Sequence, residues 1–100
     1  MWEQESRIEI VIDAPVADLV VEALAHHGIE PVAILKGVAS ATGDSRRVTD
    51  PLTWAQDYVL VVAFAEPSRA KRLAERVLSL IEPYGGSIHI TGAETLRPDP

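Results

Sequence analysis

The sequence has no cysteine, which removes disulfides, thiolate zinc sites, iron–sulfur clusters and cysteine nucleophiles together. Aromatic residues are scarce: Trp2, Trp54, Tyr58, Phe64 and Tyr84 are all of them, too few and too scattered for a base-stacking platform. Positive charge is also short. Nine Lys and Arg against fifteen Asp and Glu leave a net charge of −6, which repels phosphate backbones and argues against nucleic acid as the main partner. No apolar run approaches the roughly 18 residues that cross a bilayer, and Glu3 and Glu5 stand where a signal peptide is basic. The expectation is a soluble, untargeted, cytoplasmic protein with no membrane insertion.

What is present is 100 residues of which 47% are hydrophobic, enough for one packed core and one domain over residues 1–100. Arg7 to Ile12 alternates, with Ile8, Ile10 and Ile12 on one face, and reads as a strand. Asp13 then offers a cap and Pro15 a first helical turn, and Val16, Leu19, Val20, Ala23 and Leu24 recur at helical spacing until Gly28. Pro31 to Gly37 is a second short strand. From Val38 to Gln56 periodicity is lost among Gly43, Asp44, Ser45, Arg46, Arg47, Asp50 and Pro51, so a long flexible loop, open to trypsin at Arg46 or Arg47, is expected. Tyr58 to Ala65 is apolar on both faces and reads as a central strand. Pro67 opens a second helix with Ala70, Leu73, Ala74, Val77, Leu78 and Ile81 on its apolar side, and Pro83, Gly85 and Gly86 stop it. Ser87 to Thr91 is a last short strand before a polar tail, and both chain ends are expected to be loose.

The order βαβ, loop, βαβ predicts an α+β, ferredoxin-like split βαβ sandwich: a four-stranded antiparallel sheet with two helices on one face. Helices cover one sheet face, yet Tyr58 to Ala65 is oily on both, with Val11, Ala33 and Leu35 adding to the far side. Self-association is the economical cover for that face, and a long loop folded back over it is the other.

Catalytic constellations are thin. Ser40, Thr42 and Ser45 have no histidine near them in sequence, and no nucleophile elbow or phosphate-cradling loop is present. Acylphosphatases share the topology but work through an asparagine, which this chain lacks. His26 and His27 are adjacent at a helix end, where the dipole favours them without a metal, and His89 is isolated. Neither catalytic nor metal residues are assigned. Arg69, Arg72 and Arg76 form a basic stripe on the second helix, the charged face expected opposite an apolar one. Lys36 with Gly37, and Gly85, Gly86 and Ser87 after the second helix, can meet near one end of such a sheet. The small residues there would expose backbone N–H groups to an anion, although glycines also simply end helices.

The stretches Ile34-Leu35-Lys36-Gly37, Gly85-Gly86-Ser87-Ile88-His89-Ile90 and Glu94-Thr95-Leu96-Arg97, with the long loop between the first two, resemble the PII-like signalling family over about Arg7 to Arg97. The resemblance implies a homotrimer whose intersubunit clefts bind an adenine nucleotide (ATP, ADP or AMP) or another small anion such as bicarbonate. It also implies that the 38–56 loop engages a protein target and that the protein is not an enzyme. Gly37 matches the glycine at the loop base and Gly86 the glycine turn that touches phosphates, with Ser87 beside it, Lys36 nearby and Arg97 in the place of the basic C-terminal segment. Ser87 stands where typical members carry lysine, Pro98 and Asp99 where they carry further basic residues, and the loop has no tyrosine to be uridylylated. Three other groups share the topology: amino-acid-binding ACT domains, trimeric divalent-cation-tolerance proteins with aromatics before the third strand, and small α+β barrel enzymes that would use His89.

Overall fold

The computed structural model describes residues 1–38 and 58–98. Strand β1 spans Trp2–Asp13 and is followed by a 3-10 turn, Ala14–Val16, with Pro15 in its first turn. Helix α1 spans Ala17–His26, β2 Pro31–Val38, β3 Tyr58–Ala65, α2 Pro67–Ile81 and β4 Ser87–Leu96. The sheet order is β2-β3-β1-β4, with every neighbouring pair antiparallel. This is the α+β, ferredoxin-like arrangement expected.

Alternation decides the two faces. Ile8, Ile10 and Ile12 of β1 and Val59, Val61, Ala63 and Ala65 of β3 point to the helices, where they are buried against Val20, Ala23 and Leu24 of α1 and Ala70, Leu73, Val77 and Ile81 of α2. Antiparallel register aligns these sets, pairing Ile10 with Val61 and Ile8 with Ala63. Helix α1 stops where Gly28 takes a φ of +67°, which lets Gly28 N–H donate to Ala25 and Ile29 N–H to Leu24, an arrangement that satisfies its last carbonyls. Helix α2 starts at Glu66, whose carboxylate accepts from the Ser68 N–H and hydroxyl.

The opposite face is built of cross-sheet rows. Leu35, Leu60, Val11 and Ser87 make one row, and Ala33, Val62, Glu9 and His89 the next. Phe64, Arg7 and Thr91 make a third. Among the described residues no helix or strand covers this face, and Leu35 is 51% exposed.

Two expectations are corrected. The N-terminus is not loose: β1 begins at Trp2, five residues before the alternating segment. The polar stretch after Thr91 is likewise strand, up to Leu96. Together Trp2–Glu5 and Ala93–Leu96 form a two-stranded arm, since β3 ends at the level of Ser6. The expected loop 38–56 lies outside the described residues except for Val38, whose backbone closes β2.

Candidate functional site

The five residues singled out from the sequence occupy three corners of the sheet. Lys36 and Gly37 are near the end of edge strand β2, where Gly37 takes a φ of +81° at a register shift between Lys36 and Val38. Gly86 and Ser87 are at the start of the other edge strand, with Ser87 opposite Val11. Both pairs are at the same end of the sheet, as expected, but with β3 and β1 between them. Three strand spacings separate them by about 14 Å. Arg97 follows the far end of β4, ten residues beyond Ser87, or about 30 Å along the strand. No single copy of the chain brings the three corners together.

The glycine turn is tightly packed. A β-carbon on Gly86, whose φ is +124°, would lie 2.7 Å from the Val11 carbonyl oxygen and 3.0 Å from Ile12 Cγ2. Gly85 ends the helix, as its place after Pro83 suggests: its N–H donates to the Ile81 carbonyl at 2.8 Å and is taken up in closing α2. Lys36 is exposed and Ser87 half-buried.

Arg97 is engaged. Its Nε donates to Glu3 Oε2 and its Nη2 to Glu5 Oε1, each at 2.9 Å. The Glu3 hydrogen bond and then the Glu5 charge hold its proton more firmly than in a free arginine. The backbone is tied as well: the N-terminal ammonium donates to the Arg97 carbonyl at 2.8 Å and Arg97 N–H to the Met1 carbonyl at 2.9 Å. Sequence reasoning missed Glu3 and Glu5, whose link to Arg97 spans nearly the whole chain. Arg97 borders a groove of about 950 Å³ on the open face together with Glu5, Arg7, Val32, Phe64 and Thr91. Arg7 is paired there with Glu9 at 2.7 Å.

A second groove, of about 450 Å³, runs between the helices over Leu19, Ala23 and Leu80 and is rimmed by His26 and Arg76. His26 lies 3.9 Å from Glu22, and His27 Nδ1 lies 3.0 Å from the Ala23 carbonyl. Arg69 of the basic stripe donates to the His27 carbonyl and so joins the two helices. His89 sits on the open face opposite Glu9. Among the described residues no group of three His, Asp or Glu side chains is placed to hold a metal ion, and no helix is long and apolar enough to cross a membrane.

No family model matches the sequence, and no curated protein matches it. Solved structures do. The apo form of CPII, a nitrogen regulatory PII-like protein from Thiomonas intermedia K12, superposes with a TM-score of 0.79 at 12% identity, over 98% of each chain. The same protein bound to ADP, AMP and bicarbonate gives 0.77 at 13% identity, over 99% of this chain and all of that one. The chain has the PII-like fold. A PII-like signalling protein from Thermus thermophilus shares that fold with a TM-score of 0.73 at 14% identity, over 95% of this chain and 91% of its own. At identities this low the PII-like likeness is one of backbone, and residue roles must come from the chain's own chemistry.

Proposed function

We propose that this chain is a PII-like sensor that binds an adenine nucleotide or a small anion such as bicarbonate in clefts between the subunits of a homotrimer. It acts in the cytoplasm as a non-enzymatic regulator and signals to a protein target through residues 38–56. The whole-chain likeness to CPII, whose structures hold ADP, AMP and bicarbonate, carries this reading. Two features of the chain itself support it. The open sheet face carries Leu35, Leu60 and Val11 in one row, and covering it removes apolar surface from water at about 25 cal/mol per Å². The corners holding Lys36 and Gly37, Gly86 and Ser87, and Arg97 can converge only if different copies contribute them.

In such a cleft Gly86 lets a phosphate or carboxylate approach the backbone, Ser87 offers a hydroxyl, and Lys36 and Arg97 supply charge. Light scattering after gel filtration is expected to give the mass of three 10.9 kDa chains. Calorimetry with ADP, AMP, ATP and bicarbonate is expected to show saturable binding of at least one of them, weakened by Arg97→Ala. A monomeric mass at micromolar concentration, with no heat from any of the four, overturns the reading.

A further inference from the structure

The groove at the arm end of the open face contains two arginines, and carboxylates of the same chain hold both. Arg7 pairs with Glu9. Arg97 lies back over β1 and spends the Nε side of its guanidinium on Glu3 and Glu5, which are neighbours on one face because strand side chains alternate. The Glu5 side chain is only 12% exposed, so its charge is poorly screened by water. Two carboxylates thus surround one guanidinium, while the N-terminal ammonium donates to the Arg97 carbonyl. A planar anion presents oxygens to a guanidinium in the same way as these glutamates do, and a phosphate entering here meets their repulsion as well.

We propose that Glu3 and Glu5 are built-in competitors for Arg97, so that an anionic ligand gains this arginine only by displacing their carboxylates. The proposal rests on the anion-binding reading above and adds the device that sets the affinity of that site. The strand geometry suits such an exchange. The Arg97 backbone is fixed independently through its hydrogen bonds to Met1, so the side chain can change partners while the arm stays paired.

The test is calorimetry with ADP on the full chain, comparing the wild type, Glu3→Gln/Glu5→Gln, Arg97→Ala and the triple variant. Glutamine keeps the size of the side chain and a carbonyl acceptor, and Glu3→Gln alone, at a 43% exposed side chain, serves if the double variant melts early. The double variant is expected to bind ADP about tenfold more tightly than the wild type, because neutral acceptors hold a guanidinium less strongly than carboxylates do. Glu3→Gln alone gives a smaller gain, and the gain disappears in the triple variant. Equal affinity of wild type and double variant overturns the proposal and leaves nucleotide binding standing. So does a gain that survives Arg97→Ala, which would be a general effect of lost negative charge, or weaker binding by the double variant, which would make the glutamates supports for the arginine. If none of the proteins, the double variant included, takes up ADP, the proposal falls, and the sensor reading is then decided by ATP, AMP and bicarbonate.

Discussion

Gly86 and the Val11 carbonyl are packed so closely that a β-carbon on the glycine would come within 2.7 Å of that oxygen. Gly85, by contrast, has open space around its Cβ direction, and only its φ of +85° resists a side chain. Gly85→Ala is therefore expected to cost about 1 to 2 kcal/mol, the usual penalty of a left-handed residue. Gly86→Ala should cost more, since it adds a backbone clash to the strain, and denaturant unfolding of both variants checks the order.

Ile10 is fully buried at the centre of the helix-facing side, opposite Val61. Truncating it to alanine is expected to destabilise the fold by about 2 to 5 kcal/mol, the range for large-to-small changes in a packed core. Loss below about 1 kcal/mol in a denaturant titration would mean that the two layers repack around the hole.

The residues of this core were legible in the sequence because each element carries its own period. Ile8, Ile10 and Ile12 alternate, Ala70, Leu73, Val77 and Ile81 recur at helical spacing, and Tyr58–Ala65 has the expected bounds in the structure. The arm was not legible. Glu3, Gln4 and Glu5 on one strand and Ala93, Glu94 and Thr95 on the other show no apolar alternation, and what orders them is a ladder and an ion-paired arginine that join residues far apart in the chain. For the same reason Lys36, Gly37, Gly86, Ser87 and Arg97 could be picked out by residue type, while their division among three corners depends on strand order, which no local pattern encodes.

Leu60 is half-buried on the open face, between Leu35 and Val11. If copies of the chain cover that face, Leu60→Glu places a charge in their interface. The variant is expected to run as a folded monomer in light scattering, with native circular dichroism, where the wild type runs as a trimer. A Leu60→Glu protein of unchanged oligomeric mass would move the interface elsewhere.

Acid should loosen the start of α2. The hydrogen bonds from Ser68 to the Glu66 carboxylate hold its pKa below the ordinary value of 4.5. A carboxyl with a depressed folded-state pKa contributes stability that is present above its unfolded value and is lost as pH falls through the folded one. Wild type is accordingly expected to be more stable than Glu66→Gln at pH 7, with the difference shrinking below about pH 4.5 as the cap protonates. A constant difference from pH 7 to pH 3 in denaturant midpoints would show that the carboxylate charge contributes nothing.

Strand β1 lies inside the sheet, and its two neighbours, β3 and β4, both come from the second half of the chain. Trp2 is paired with Leu96 and Ile8 with Ile90, so β1 gains its last hydrogen-bonded edge only when β4, made well after it, arrives. Such non-local pairing slows folding, because the loop-closure entropy is lost before the contacts that reward it can form. A chain stopped before β4 would hold β1 as an unpaired inner edge, open to any other strand.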